Sequence, residues 1–194
     1  MTRRSLPLID PSRVEFGFRR TVCDCQECTR NCHFIPGYLI PADLERISQH
    51  LAPGEDLVRW ASQHLLASPG AKVMRAGHVF RIRTLVPARQ AHGACCFLTS
   101  EERCAIHAVA PFGCSFFDSH MTGEIADRRS VRGLRAVLEA WNRGDFYAQL
   151  WGLLHRLGFR APAPEIARQR LRQAVHSAKA LNQQGTLGDE AKPA

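Results

Sequence analysis

Four thiols within ten residues, Cys23-Asp24-Cys25-Gln26-Glu27-Cys28-Thr29-Arg30-Asn31-Cys32, form the densest reactive group in this chain. Structural cysteines sit among apolar neighbours, but these alternate with Asp24, Gln26, Glu27, Thr29, Arg30 and Asn31. A loop carrying Cys25 and Cys28 lets two sulfurs converge on one centre, as the short spacings of zinc and iron–sulfur sites do, and Cys32 one turn on can add a third. Unligated surface thiols would be open to oxidation.

A second group holds the other four cysteines: Cys95, Cys96, Cys104 and Cys114. Seven and nine residues separate Cys96, Cys104 and Cys114, so each comes from a different turn and they meet only through the tertiary fold. The economical expectation brings both clusters to one centre, although eight cysteines could also serve two four-ligand sites. Adjacent side chains diverge in an extended chain, so one of Cys95 and Cys96 is expected to be structural. His107 lies between two candidate ligands, and His33 follows Cys32. Asp118-Ser119-His120 contains triad-type residues, but sequence neighbours cannot form a triad. No Walker loop, dinucleotide fingerprint or His-Glu-x-x-His occurs.

These residues resemble the YkgJ-type cysteine-cluster family, described as a zinc- or iron-chelating domain. Its pattern is a dense N-terminal cysteine group, a helix, a Cys-Phe-Leu segment, and then Cys-x-Ile-Tyr-x-x-Arg-Pro-x-x-Cys-Arg-x-Phe-Pro. Here Cys96-Phe97-Leu98 matches the middle piece, and Cys104-Ala105-Ile106-His107 through Pro111-Phe112-Gly113-Cys114 matches the last with identical cysteine spacing. Pro41-Ala42-Asp43-Leu44-Glu45-Arg46-Ile47 is similar to the family's helix, and the resemblance spans roughly residues 20–120. It implies metal ligation by Cys23, Cys25, Cys28, Cys32, Cys96, Cys104 and Cys114, and leaves Cys95 as the structural member of its pair. His107 takes the family's tyrosine position, which implies a packing or orienting role. The sequence departs from the pattern at Ala110, Ser115 and Phe117 and lacks a doubled cysteine in the first cluster. The ligands therefore survive better than their surroundings, and metal binding carries over in preference to a reaction.

The expected cofactor is an iron–sulfur cluster of the [4Fe–4S] type, or zinc. Six or more cysteines without regular paired Cys-x-x-Cys knuckles favour the cluster. A non-catalytic metal-binding module is the first functional reading. The alternative is an iron–sulfur-dependent redox or methyl-transfer enzyme, since the resemblance extends to flagellin lysine methylases linked to iron–sulfur chemistry.

The elements that position these residues follow from composition and periodicity. A chain of 194 residues can bury one sizeable core without covalent staples, so the cysteines are not needed as disulfides. No secretory h-region opens the chain and no apolar window is long enough to cross a membrane; a reducing, cytoplasmic setting is expected, with metal-bound thiols. The net charge of +8 is uneven: residues 1–127 carry 14 basic and 13 acidic side chains, residues 128–194 carry 12 and 5. Arg128, Arg129, Arg132 and Arg135 suit either a solvated helix face or an acidic protein or nucleic-acid partner, and without aromatic interleaving the solvated face is favoured.

The fold class expected is α+β, mostly helical: a metal-stapled cysteine-cluster domain over 1–124 with a small β-hairpin, a basic helical extension over 125–182, and a disordered tail over 183–194. Val14, Phe16 and Phe18 alternate as in one short strand. Leu44, Ile47 and Leu51 predict a helix opening at Pro41, and Leu57, Val58, Ala61 and Leu65 a second from 55 to 67, stopped by Ser68-Pro69-Gly70. The two helices are expected to pair. Period-two alternation from Lys72 to Val86 predicts the hairpin, with its turn at Ala76-Gly77. Helical stripes follow at Val131, Leu134, Leu138 and Trp141; at Phe146, Leu150, Leu153 and Leu157; and at Ile166, Leu171, Val175 and Leu181.

Overall fold

The computed structural model describes residues 11–23, 25–51, 54, 56–75 and 78–158. The third helical stripe and the expected tail lie outside them. Within the described residues six helices and two two-stranded antiparallel sheets form a mostly helical α+β fold.

The chain enters through β1 (Val14–Glu15) and β2 (Phe18–Arg19), paired antiparallel with Val14 opposite Arg19. The alternation at Val14, Phe16 and Phe18 is therefore a minimal hairpin and not one strand. Helix α1 (Gln26–Phe34) follows, then α2 (Pro41–Leu51) with the boundaries that Pro41 and the apolar spacing predict. Leu44 and Ile47 are buried, while Leu51 sits at the exposed end.

Helix α3 (Leu57–His64) is capped by Asp56, whose carboxylate accepts the Arg59 N–H at 2.8 Å, and packs against α2. It ends three residues before the expected limit, because Leu65 and Ala67 are buried in strand alternation. They open β3 (Leu65–Arg75), which pairs antiparallel with β4 (His78–Pro87), from Leu65 opposite Pro87 to Arg75 opposite His78. Ser68-Pro69-Gly70 is thus no stop. The register shifts between Ser68 and Ala71, and Gly70 adopts φ +93 with its missing Cβ 1.8 Å from the Ile82 carbonyl oxygen, a bulge only glycine fits.

Helices α5 (Gly123–Arg143) and α6 (Phe146–Leu157) close over this hairpin. The buried face of α5 is Gly133, Leu134, Val137 and Ala140, whereas Val131 is 64% and Leu138 45% exposed. The stripe is rotated from the one drawn through the bulkiest residues because α5 makes a close approach. A Cβ on Gly133 would stand 2.4 Å from the Phe112 ring. Helix α6 buries Tyr147, Leu150, Trp151 and Leu154 and leaves Phe146 and Leu157 exposed. Val137, Tyr147 and Leu150 belong to the same hydrophobic cluster as Leu39, Ile47, Trp60 and Phe112.

Polar bonds fix how these helices sit. The indole N–H groups of Trp141 and Trp151 donate to the Arg83 and Ser68 carbonyls at 3.0 and 2.9 Å. Tyr147, 1% exposed, donates its hydroxyl to the Leu39 carbonyl and accepts the Leu85 N–H, both at 2.8 Å. One side chain thereby satisfies two buried backbone groups from different elements. Tyr147→Phe orphans both, and is expected to lower unfolding stability by about 2–3 kcal/mol in urea titrations. A loss under about 0.5 kcal/mol would contradict that role.

Candidate metal centre

The first cysteine cluster is a helix and not a loop. Cys25 is the N-cap of α1, Cys28 lies in its first turn and Cys32 in its last. Steps of three and four residues place Cys28 and Cys32 on one helical face, so the gaps that look irregular in sequence are helical spacing. No residue of α1 is buried. The helix lies along a cleft of about 1720 Å³, and Cys23, Cys28, Cys32, Cys95, Cys104 and Cys114 all line that cleft.

Three of these thiols meet a histidine. The donor atoms of Cys23, Cys25, Cys28 and His120 all lie within 4.8 Å of one another, so this group could hold a metal ion. His120 comes from the turn before α5, where the Asp118 carboxylate accepts the His120 N–H at 2.9 Å. The neighbouring Ser119 N–H points at the Cys28 sulfur at 3.4 Å, and the Cys25 sulfur lies 3.3 Å from His120 Nε2. On the other side of the ring, Glu27 stands 4.0 Å from Nδ1, where a carboxylate can orient a ligating imidazole.

The electrostatics within the group are uneven. The Cys28 backbone N–H, then His120, draw the Cys25 thiol down to about 6. The same contact, first by its hydrogen bond and then by its charge, raises His120 above the ordinary imidazole value. Burial pushes Cys28 up to about 11. Three thiols and one imidazole are a donor set that suits zinc, which takes such ligands tetrahedrally.

The remaining thiols sit deeper along the same cleft. Cys95 is 5% exposed and donates its N–H to the Cys32 carbonyl at 2.7 Å. Cys104 is bridged to Leu98, and Cys114 lies in the short helix α4 (Phe112–Ser115), its sulfur accepting the Gly37 N–H at 3.2 Å. Burial raises Cys32 to about 11, Cys104 to about 12 and Cys114 well above its ordinary value, and each is also raised by the charge of Cys95. The neighbouring Cys96 is hydrogen-bonded side chain to side chain with Cys95, its thiol also donates to the His64 carbonyl at 3.6 Å, and the residue does not line the cleft.

Arginines brace the segment between Cys104 and Cys114. Arg20, 5% exposed, donates to the His107 and Ala108 carbonyls at 2.6 Å, and Arg13 donates to the Ala110 carbonyl at 2.8 Å. Part of the arginine content is therefore spent on backbone carbonyls around the site. His107 lines the cleft from the 3-10 turn His107–Val109. His33 pairs with Glu102, tying the end of α1 to the second cluster.

Of the sequence-predicted ligands, Cys23, Cys25 and Cys28 form one tight group, Cys32, Cys104 and Cys114 lie further along the cleft, and Cys96 lies beside Cys95 without lining it. His120 was missed, because nothing in Asp118-Ser119-His120 announces that it meets thiols some ninety residues earlier. All eight cysteines are free thiols, and no helix among the described residues is long and apolar enough to cross a membrane. No family model, no curated protein and no solved structure matches this chain.

Proposed function

We propose that this chain is a metal-binding module in which Cys23, Cys25, Cys28 and His120 hold one zinc ion. The observation that carries this reading is the mutual approach of four donor atoms within 4.8 Å. Metal–ligand bonds of ~2.0–2.3 Å put tetrahedral donors about 3.8 Å apart, so the group needs only a small contraction. A four-iron cube, interposed between its thiolates, would hold them further apart. Four protein ligands close the coordination sphere, which supports a structural role over a catalytic one. The ion would tie the N-terminal segment to the turn that launches α5. The resemblance to YkgJ-type proteins, read from the cysteine spacing, points to the same chemistry.

The test is zinc titration of the metal-free full chain. His120→Ala is expected to weaken zinc at least about 100-fold, since even groups that merely orient a ligand are worth 10- to 100-fold. Unchanged affinity in that variant would refute the assignment. Binding should also strengthen as pH rises. Burial holds Cys28 protonated near neutrality, so it must lose a proton to ligate, contributing up to about tenfold per pH unit below its own pKa, and the raised pKa of His120 acts in the same direction. Proton release measured by titrating zinc in two buffers of different ionisation enthalpy checks the sign.

A further inference from the structure

The exposed side of α5 is not the plain charged surface that a solvated helix face would show. Arg128, Arg132 and Arg135 recur there at steps of four and three residues, which stacks them in one row. Aliphatic side chains share that side of the helix: Val131 is 64%, Leu138 45% and Ile125 43% exposed. The tip of the β1–β2 hairpin forms a second wall. Between the two runs a groove of about 720 Å³, lined by Phe16 and Phe18 from the hairpin and by Arg128, Val131, Arg132 and Arg135 from the helix. We propose that this groove is a docking surface for an acidic amphipathic segment of a partner protein. The partner's carboxylates pair with Arg128, Arg132 and Arg135, and its apolar side chains cover Phe16 and Val131.

Charge, ring placement and rigidity support this occupant. The groove presents three guanidinium groups against one carboxylate, that of Asp127, and Glu139 meets Arg135 from the next turn at 2.9 Å. A guanidinium fork matches a carboxylate through two parallel hydrogen bonds. Phe16 stands at φ +54, in the left-handed region where a bulky residue is rare, and precedes Gly17 at +82. Two-residue hairpin turns of this kind favour asparagine or aspartate before the glycine. The ring meets Phe112 edge-on, 5.4 Å between centroids, yet stays 42% exposed where it lines the groove. Arg129 fastens the two walls together: it donates to the Phe116 carbonyl at 2.7 Å and lies 5.4 Å over the Phe18 ring. A groove formed in advance loses little freedom when it is filled. The aliphatic residues select a peptide over a nucleic acid. A sugar–phosphate backbone would pair with the arginines, but it has no apolar side chain to cover Val131 and Leu138.

None of the zinc donors lines this groove, so failure of the zinc assignment leaves the docking surface standing, and the reverse holds. The test is fluorescence anisotropy of the full chain with a fluorescein-labelled peptide that carries leucines at helical spacing among glutamates. A scrambled peptide of the same composition and an oligothymidylate of the same net charge are the comparisons. The patterned peptide should bind at least about tenfold more tightly than either, and more weakly as salt rises. Arg132→Glu and Val131→Ser should each weaken it about tenfold, as loss of an anchoring contact does. Both positions are exposed, so these variants should keep the wild-type circular dichroism spectrum. Phe16→Asn suits the turn, and should likewise stay folded and bind more weakly. Arg143→Gln, at the far end of α5 and outside the groove, should bind as wild type does. The proposal is overturned if the patterned peptide fails to bind, if the scrambled peptide binds equally well, if the oligothymidylate binds more tightly, or if Arg132→Glu and Val131→Ser both retain wild-type affinity.

Discussion

Replacing Asp43 with alanine is expected to destabilise the fold by about 3–5 kcal/mol, the range found when one partner of a buried ion pair is removed. Asp43 is fully buried, and its carboxylate accepts from two backbone N–H groups and two guanidinium groups. One oxygen accepts the backbone N–H groups of Ile40 and Phe112, both at 2.8 Å. The other takes the guanidinium of Arg13 at 3.1 Å and that of Arg46. Alanine would leave two buried N–H donors unsatisfied and withdraw the charge that holds two half-buried arginines. Glu15, which pairs with both arginines, can compensate them only in part because it does not reach the backbone donors. Urea unfolding should show a lower midpoint with little change in slope, and a loss under 1 kcal/mol would contradict the account. Asp43→Asn separates the contributions: it keeps acceptor capacity for the backbone and removes the charge, so it should fall between wild type and Asp43→Ala. The consequence reaches the thiols, because the Phe112 N–H begins α4, which carries Cys114.

Gly37→Ala is the second substitution with a large expected effect, at about 3 kcal/mol or more, the upper end of the cost of overpacking. A Cβ at position 37 would stand 2.1 Å from the Gly113 carbonyl carbon and 2.5 Å from the Cys114 nitrogen. Both obstacles are backbone, so no side-chain rotation relieves the clash. The approach is mutual, since a Cβ on Gly113 would lie 2.3 Å from the Tyr38 nitrogen, and the Gly113 N–H donates to the Tyr38 carbonyl at 2.9 Å. Two glycines back to back let one chain segment cross another at contact distance, which brings the Gly37 N–H onto the Cys114 sulfur. Thermal unfolding should place Gly37→Ala well below wild type. Gly123→Ala serves as the control: nothing lies within 4 Å of its missing Cβ, so that variant should melt within a few degrees of wild type. Equal melting temperatures for the two variants would show that the crossing can relax.

Some elements were legible before any coordinates. Pro41 followed by apolar residues at helical spacing located the start of α2 to the residue, since proline at a helix start and a 3.6-residue stripe are local properties. The hairpin of β3 and β4 was legible for the same reason, although β3 begins earlier than alternation alone suggested, and the expected turn residues lie outside the described ones. The buried face of α5 was not. Bulk pointed to Val131 and Leu138, but close packing against Phe112 and Tyr38 turned Gly133 and Ala140 inward. Which small residue faces a neighbour depends on how near the neighbour comes, and that distance is not encoded in one helix.

The candidate site divides along the same line. Spacing within ten residues was enough to single out Cys23, Cys25, Cys28 and Cys32 as chemistry and not core, because thiols among charged neighbours cannot be buried cheaply. The sequence by itself therefore determined that this protein carries reactive sulfur in two groups, on a mostly helical frame long enough to bury a core unaided. Only the tertiary structure decided how that sulfur is shared out. It brought His120 to the first group and placed Cys32, Cys95, Cys104 and Cys114 along one cleft. Convergence of donors from distant segments is a property of how elements cross, at Gly37 over Gly113 and at Arg20 over the His107 carbonyl, and no local spacing records it.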